Sequence, residues 1–422
     1  MGGGHHDLFA AVNLGLLGVK TLVVDRFPRV GDNWRTRYET LALHNKTDMC
    51  HFPYMPFPYS FPEHLPKDKV ADWIAAYVEA MEVNYWTSTE FYGGEYLEEL
   101  ESWRVDVRRA DGTVRTMYPK HVVITTGGVG GRPNIPSLPE IDSFEGEVLH
   151  TKEFRSGEDF VGRRVLVVGV GTSGHDTVCA LRYHWADVTM MQRGPVAVVN
   201  MDSANMCYPT VYADGTPLEE ADLIGMAGFV YPLLTAGFRQ LGAMVAERDK
   251  SLPDALAAVG MQIDNDERGW VWKFYEEFSG YYINVGASEL VAKGEIALIQ
   301  AKDASVFVPD GLTMTDGSKL PFDAVVLATG YHNQQLEMEH FFGADVAAKV
   351  GRIGGFDEVG ELRNAFKPTA QPGLRFATSR FASGRSLAPH MAAMIKGQLE
   401  GFAPKKRHGF IAEVGGTHFN SR

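Results

Sequence analysis

The chain has the pattern of an α/β protein, because glycine-rich turns stand between strand-like and helix-like apolar segments in two separate places. These turns lie at residues 2–7 and 169–174. Two further apolar runs, at 121–128 and 323–331, contain Thr-Gly after the strand-like part, as strands returning to the first domain would. We therefore predict two nested Rossmann-like dinucleotide-binding domains, with the second inserted into the first.

The turn at 169–174 has the more specific context. A strand-like run at 165–168 leads into Gly169, Gly171 and Gly174, and a helix pattern that includes Trp185 follows. In the order G-x-G-x-x-G, the first glycine permits a tight turn and the second lets a pyrophosphate approach the backbone. The third lets helix and strand pack closely. The alternative is a glycine-rich turn that binds no ligand.

The residues that follow indicate which nucleotide this turn binds. Thr172 and Ser173 stand at the predicted helix start, where free N–H groups attract phosphates. The next strand, at 187–192, ends at Arg193. An arginine at this place suits the 2′-phosphate of NADPH, whereas an NAD site usually has a carboxylate there. The alternative is an ordinary exposed arginine at a strand end.

The first turn is less regular. Gly2 and Gly4 fill the first two positions of the pattern, but Asp7 occupies the third. A helix is predicted over 8–17 and a strand over 21–24, followed by Asp25 and Arg26. Asp25 lies about 20 residues beyond Gly4, near the usual spacing of the carboxylate that binds a ribose hydroxyl. The alternative is that Asp25 only ends a strand.

Only Met1 precedes Gly2, so the strand that should lead into this turn is missing from the sequence. The expected reason is a truncated or mis-started chain, and the other is a genuinely altered site. Asp7 adds a side chain and a negative charge near the expected pyrophosphate, although it could also cap the helix.

The predicted division places a first FAD-binding part at 1–155, an NADPH-binding domain with an inserted helical segment at 156–305, and a second FAD-binding part at 306–422. Thr126, Gly127, Thr329 and Gly330 end the two returning strands, and both glycines would let the backbone pass close to a dinucleotide. Two nested nucleotide folds imply FAD in the outer domain and NADPH in the inner one.

The composition excludes several classes. The chain has 422 residues and a net charge of −13, which argues against nucleic acid as a partner. The cysteines, Cys50, Cys179 and Cys207, form neither C-x-x-C nor a zinc-ligand spacing, so we predict no metal site and a cytoplasmic location. The longest apolar stretch, at 223–238, is shorter than the about 20 residues that span a membrane. No signal peptide is predicted.

Phe144, Gly146, His150 and Phe154 have the spacing F-x-G-x-x-x-H-x-x-x-[FY], and together with the two glycine turns they carry a family resemblance. The chain resembles the class B flavoprotein monooxygenases, in which this spacing is a fingerprint, and it is most similar to the flavin-containing monooxygenases, including the plant auxin-forming branch and its microbial relatives. Further matching segments lie at 31–34, 41–46, 55–58, 328–331 and 373–385. Asp7, Asp32, Ser379 and Arg380 depart from the family pattern, the last two replacing a pair of glycines.

The resemblance implies an NADPH- and FAD-dependent monooxygenase that inserts one oxygen atom of O2 into a small organic substrate through a flavin C4a-hydroperoxide. It is compatible with a homodimer. It implies catalytic roles for Asn45 and His150, and cofactor contacts for Trp34, His44 and Arg385. The aromatic stretches 270–275 and 280–283 would line the substrate cavity or belong to the core. The alternatives are a flavin-deficient NADPH-binding relative and a disulfide reductase, which would need a redox cysteine pair.

Overall fold

The structure is a computed structural model that describes residues 1–127, 131–206, 211–212, 215–228 and 231–403. The helices in this part of the chain are α1 His5–Leu16, α2 Asp32–Arg35, α3 Lys67–Ala80, α4 Thr172–Tyr183, α5 Met201–Asn205, α6 Leu218–Ala227, α7 Tyr231–Asp249, α8 Ser251–Ala258, α9 Gly269–Trp272, α10 Ala287–Ala292, α11 Gln334–Phe342, α12 Ala344–Val350 and α13 Phe381–Leu399. The strands are β1 Val23–Val24, β2 Tyr85–Trp86, β3 Thr89–Leu97, β4 Ser102–Arg109, β5 Val114–Met117, β6 Val122–Ile124, β7 Glu147–His150, β8 Arg164–Val168, β9 Asp187–Gln192, β10 Ala197–Asn200, β11 Tyr281–Asn284, β12 Ala297–Gln300, β13 Ala304–Val308, β14 Gly311–Met314, β15 Lys319–Pro321, β16 Ala324–Leu327 and β17 Leu374–Phe376.

The first parallel sheet is divided into the pairs β1–β2 and β6–β17. Met1 and Gly2 lie between these pairs. The Gly2 N–H donates to the Val24 carbonyl at 3.1 Å, the Met1 amine donates to the Val123 carbonyl at 2.9 Å, and the Thr125 N–H donates to the Met1 carbonyl at 3.0 Å. Met1 and Gly2 therefore hydrogen-bond to both pairs in the manner of a central strand.

The second sheet is parallel, with the strand order β12-β9-β8-β16-β7. The apolar residues of its central strands β8, β9 and β16 are buried, as expected when helices and other layers cover both faces of a sheet. This order corrects one prediction. The strand at 323–331 does not return to the first sheet, because β16 pairs with β8 and β7. The strands β7 and β16 thus lie outside the range 156–305 that was predicted for the NADPH-binding domain, but they belong to the same sheet as β8 and β9.

Helix α4 begins directly after the second turn and packs against β8, β9 and β11. Val178 and Leu181 are fully buried on its core face. The sequence pattern also placed Trp185 on this face, which is wrong: the helix ends at Tyr183, and Trp185 has a φ of 62° and is exposed. In the first domain, α1 packs against α13. Both helices start beside the first turn, because His6 of α1 lies 3.3 Å from the carbonyl of Arg380, the residue before α13.

The remaining elements surround these two sheets. β3–β4–β5 and β13–β14–β15 form separate antiparallel sheets, and β10 pairs with β11 in parallel. Helices α5 to α9 form the inserted helical segment, which continues into a π-helical turn at Lys273–Glu277. None of the helices in the described ranges is long and apolar enough to cross a bilayer.

Candidate dinucleotide-binding cavity

One large cavity, with a volume of about 1410 Å³, lies between the two domains. Both glycine turns and both Thr-Gly loops line it. The volume exceeds the about 300–1,000 Å³ that is usual for one ligand, so the cavity has room for more than one.

The first turn needs glycine for steric reasons. Gly2 has a φ of 141°, and a Cβ there would lie 2.7 Å from the Thr125 carbonyl oxygen. Gly3 has a φ of 72°, and its Cβ would lie 2.1 Å from Asp25 Oδ2. Gly4 precedes the first residue of α1 and lines the cavity. The backbone therefore passes close to the strand ends and faces the cavity with the free N–H groups of a helix start.

Asp7 is buried in the first turn of α1. Its carboxylate accepts a hydrogen bond from the Gly4 N–H at 3.1 Å and forms an ion pair with the Met1 amine at 2.9 Å. The residue in the third glycine position thus caps the helix start from inside, as the capping possibility anticipated. Its charge also lies beside the N–H groups that would face a phosphate.

Asp25 ends β1 at the cavity wall and is 2% exposed. The Tyr85 hydroxyl donates to Asp25 Oδ2 at 2.6 Å, and the Phe27 N–H donates to Oδ1 at 3.3 Å. Burial raises the pKa of this carboxyl to about 6, although both hydrogen bonds favour the charged form. The carboxylate can accept further hydrogen bonds from hydroxyl groups of a ligand.

The second turn shows the three predicted glycine roles separately. Gly169 has a φ of 126°, and a Cβ there would lie 2.4 Å from the Ala328 carbonyl oxygen. A Cβ on Gly174 would lie 2.1 Å from the Gly169 carbonyl oxygen, so this glycine allows α4 to approach β8. Gly171 has an ordinary φ of −79°, and a Cβ there would meet nothing within 4 Å. Of these three glycines, only Gly171 faces open space.

A buried polar contact links the two domains at the cavity. The Tyr38 hydroxyl donates to Asp176 Oδ2 at 2.5 Å, and Asp176 lies in α4. Burial raises the pKa of Asp176 and lowers that of His44, which lies near enough for the two charges to interact. Asp176 Oδ1 is buried and has no hydrogen-bond partner. All three residues line the cavity.

The two Thr-Gly loops also line the cavity. The Thr126 hydroxyl donates to Glu337 Oε2 at 2.9 Å, and the Gln334 amide donates to the Gly127 carbonyl at 3.0 Å. The Thr329 hydroxyl donates to the Asn134 carbonyl at 2.6 Å. Gly127 and Gly330 have φ values of 82° and 79°, which glycine adopts without strain.

Most of the predicted cofactor-binding residues meet at this cavity. Those that line it are Gly2, Gly4, Asp25, Arg26, Trp34, His44, Thr126, Gly127, Gly169, Gly171, Thr172, Ser173, Arg193, Thr329 and Gly330. Gly174 packs behind the turn. Of the aromatic stretches, Phe274, Tyr275 and Tyr281 line the cavity. Tyr275 also belongs, with Trp270 and Trp272, to a buried core cluster.

Besides Gly174, three predicted site residues lie away from the cavity wall. His150 ends β7, accepts from the Lys152 N–H through Nδ1 at 3.0 Å and donates from Nε2 to the Gly330 carbonyl at 3.1 Å. Burial lowers the pKa of this histidine, so the neutral ring ties β7 to the second Thr-Gly loop. Asn45 does not line the cavity, although its neighbour His44 does.

Arg385 is the third of these residues. It lies in the second turn of α13, is 5% exposed and makes a two-pronged ion pair with Asp222 of α6 at 2.6 and 2.7 Å. The same side chain donates to the Met49 carbonyl at 3.2 Å. These contacts use its donors inside the protein, between α13 and the inserted helical segment.

Sequence reasoning missed the charge of the cavity wall. The chain carries a net charge of −13, yet six cationic residues of the wall have no carboxylate within 4.0 Å in the described part of the chain. They are Arg26, Arg37, Lys152, Arg155, Arg193 and Arg380. Such unpaired cations suit the phosphates of dinucleotides. Only contacts between distant segments reveal this set, since no run of basic residues marks it.

The missed polar pair, Tyr38 and Asp176, left a weak sequence signal. Asp176 follows the glycine pattern by two residues, on the helix that the pattern predicts. Tyr38 lies far away in sequence, in the loop after α2.

Cys50 and Cys179 are unpaired thiols, so these two residues do not form the cysteine pair that the disulfide-reductase alternative needs.

Comparison with known proteins gives a family match by sequence. The flavin-binding monooxygenase-like family model matches residues 26–213. The indole-3-pyruvate monooxygenase YUCCA1 of Oryza sativa subsp. japonica is 28% identical over 340 residues, which cover 79% of this chain and 76% of that protein.

Comparison of structures agrees with this match. A flavin-containing monooxygenase from Stenotrophomonas maltophilia superposes with a TM-score of 0.61 at 18% identity, covering 95% of this chain and 97% of the other. A cyclohexanone monooxygenase from Rhodococcus sp. Phi1 bound to NADP+ gives a TM-score of 0.66 at 16% identity, covering 94% and 83%. These likenesses confirm the predicted fold class of two Rossmann-type domains.

Proposed function

We propose that the chain, a member of the class B flavin-dependent monooxygenases, uses FAD and NADPH to insert one oxygen atom of O2 into a small organic substrate. One observation carries the proposal: a single cavity is lined by both glycine turns. Two dinucleotides anchored at these turns would meet inside one enclosed space, which a transfer between their rings requires.

The residues of the first turn fit FAD. The backbone at Gly2 and Gly3 leaves no room for a Cβ, and the start of α1 offers free N–H groups. Asp25 would accept hydrogen bonds from the ribose, and Arg26 is an unpaired cation beside it. The buried Asn33 Oδ1 and Gln334 Oε1, which have no partners, belong to residues of the same cavity wall. Buried polar atoms of this kind are satisfied when a ligand binds.

The residues of the second turn fit NADPH. Gly171 leaves open space at the start of α4, where the helix dipole and the N–H groups of Thr172 and Ser173 favour a pyrophosphate. Arg193 follows β9 at the cavity wall and would bind the 2′-phosphate. The bound flavin would supply the redox and oxygen chemistry, and the chain's own groups provide binding, orientation and exclusion of water.

The proposed overall reaction uses one NADPH, one proton and one O2 for each substrate. One oxygen atom enters the substrate and the other leaves as water, while NADPH is oxidised to NADP+. The names of the curated relatives make an aromatic 2-oxo acid the first substrate to test. Such an acid would be oxygenated at its carbonyl carbon with loss of CO2, which leaves an acid shorter by one carbon.

The visible spectrum of the purified protein tests the proposal. We expect the absorption of bound flavin, bleaching by NADPH without O2, and recovery when O2 is admitted. Substrate should increase the use of NADPH and O2 in equal amounts. A colourless protein that takes up no added FAD would refute the proposed activity.

Asp7 supports a second candidate function, a relative that binds NADPH but not FAD. Its carboxylate accepts from the Gly4 N–H and places a negative charge at the start of α1. This charge opposes the binding of a pyrophosphate there.

Two substitutions at this position separate the candidates. Asp7→Asn removes the charge but keeps an oxygen that can cap Gly4, whereas Asp7→Gly removes both. If the second candidate is right, the wild type holds no FAD and Asp7→Asn binds it in an equilibrium titration. Equal FAD affinity in the wild type and in Asp7→Asn would contradict it. Asp7→Gly then shows what the cap contributes to stability.

A further inference from the structure

The cavity contains an arginine–aromatic cluster formed by Phe274, Tyr275, Tyr281 and Arg380. Arg380 immediately precedes α13, and its Nη2 donates to the Phe274 carbonyl at 2.8 Å. Its guanidinium lies over the rings of Phe274 and Tyr275, with Cζ 4.1 Å from the Tyr275 centroid. Phe274 and Tyr281 contact each other edge to face at 5.2 Å.

This cluster lies between the two turns. The Arg380 carbonyl is 3.3 Å from the ring nitrogen Nε2 of His6, in the first turn of α1. The Tyr281 carbonyl accepts from the Thr172 hydroxyl, at the start of α4, at 3.3 Å. If the phosphates bind at the two helix starts, the cluster faces the region where the reactive rings would meet and where a substrate must enter.

The charge of Arg380 is not neutralised. It has no carboxylate within 4.0 Å among the described residues, and Nη1 is buried without a hydrogen-bond partner. Aromatic faces attract a guanidinium only weakly compared with an oxyanion, which accepts two parallel hydrogen bonds from it. A half-buried cation that has no carboxylate partner and lines a cavity is a site for an anion.

We propose that Arg380 binds the carboxylate of an aromatic acid substrate, whose ring packs against Phe274, Tyr275 or Tyr281. The inference rests on the proposed function and adds the residue that determines its specificity. A phosphate of either dinucleotide offers the same oxyanion chemistry. The position between the two turns favours the substrate, because the pyrophosphates have their own sites at the helix starts.

The test uses the protein with FAD and NADP+ bound and measures binding without turnover. The probes are phenylpyruvate and its methyl ester, which differ in charge and little in shape, titrated by calorimetry. For Arg380→Gln we expect the Kd of phenylpyruvate to rise about 10- to 150-fold, as loss of charge-assisted hydrogen bonds implies. The Kd of the ester should stay within about twofold. Arg380→Lys should give an intermediate loss, because it keeps the charge without the fork.

The matched control is Arg352→Gln. Arg352 also lines the cavity, but it donates to the Glu276 carbonyl at 2.6 Å and lies 3.7 Å from the Glu276 carboxylate. Its charge is already paired, so its loss should leave the Kd of phenylpyruvate unchanged.

Three results would overturn the inference: an equal loss for acid and ester, no loss for either, or weaker NADP+ or FAD binding in place of weaker acid binding. The last would assign Arg380 to a dinucleotide phosphate. If Arg380→Gln does not fold, as its urea midpoint would reveal, the acid-to-ester comparison in Arg380→Lys decides. If the binding of phenylpyruvate depends on Arg380 but phenylpyruvate does not increase the use of NADPH, only the proposed function is refuted.

Discussion

Alanine should have different effects at two glycines of the second turn. Gly174→Ala should lower stability, whereas Gly171→Ala should weaken the binding of NADPH. Gly174 faces the backbone of its own turn, with its Cβ position 2.1 Å from the Gly169 carbonyl oxygen. Gly171 has an ordinary φ of −79° and nothing within 4 Å of its Cβ position. Each alanine therefore adds the same methyl group, in one case to packed protein and in the other to the cavity.

The magnitudes follow from these distances. In Gly174→Ala the helix α4 must move away from β8 by about 1 Å, and overpacking of this kind costs about 1–3 kcal/mol of unfolding free energy. Gly171→Ala should leave stability within about 0.5 kcal/mol of the wild type, because its new methyl group meets no protein atom. In the complex the same methyl group would contact the pyrophosphate, so the Kd for NADPH should rise about 5- to 150-fold, equivalent to about 1–3 kcal/mol.

Urea unfolding gives the first quantity and a fluorescence titration with NADPH gives the second. The two variants control each other, since each is expected to change mainly one of the two measurements. If Gly171→Ala binds NADPH as tightly as the wild type, the open face of Gly171 is not where the pyrophosphate binds. If Gly174→Ala is as stable as the wild type, close packing of α4 on the turn is not a source of stability.

Three further predictions concern single side chains. Because the folded pKa of Asp25 is about 6, above its unfolded value, the folded state binds the proton more tightly; stability should fall by about 2 kcal/mol from pH 4 to pH 7, and Asp25→Asn should remove this part of the urea profile. Arg193→Ala should raise the Kd for NADPH about 10- to 150-fold and leave that for NADH unchanged, and an equal effect on both would exclude a 2′-phosphate contact. Tyr38→Phe should cost about 1–3 kcal/mol, because it removes the buried hydrogen bond to Asp176, whereas the exposed Tyr59→Phe should cost nothing measurable in the same urea assay.

The sequence predicted the elements whose signals are local. The second turn, its strand and its helix follow the glycine pattern directly, because each glycine is required by a contact within the same unit. The placement of β16 was wrong because its apolar run and its Thr-Gly resemble those of β6. Which sheet a strand joins depends on pairing with β7 and β8, and these contacts between distant segments leave no trace in the run itself.

For the site, the backbone positions were more predictable than the side chains. Fifteen predicted residues line the cavity, and nearly all of them lie at turns, strand ends or helix starts, where the main chain determines what faces the ligand. Arg385 and His150 carry polar groups that any ligand could use, but their donors bind Asp222 and the Gly330 carbonyl. Whether a polar side chain has a partner inside the protein cannot be read from a motif.

The charges of the cavity suit two dinucleotides better than one. Carboxylates at the wall, such as Asp25 and Asp176, can accept from hydroxyl or amide groups, whereas the unpaired cations can only donate. A ribose moiety offers hydroxyl donors and a phosphate only acceptors, so each dinucleotide needs both kinds of group. Both kinds occur at each turn: Asp25 with Arg26 beside the first, and Asp176 with Arg193 beside the second. Since the whole chain carries a charge of −13, these local cations attract both cofactors against the repulsion of the rest of the chain.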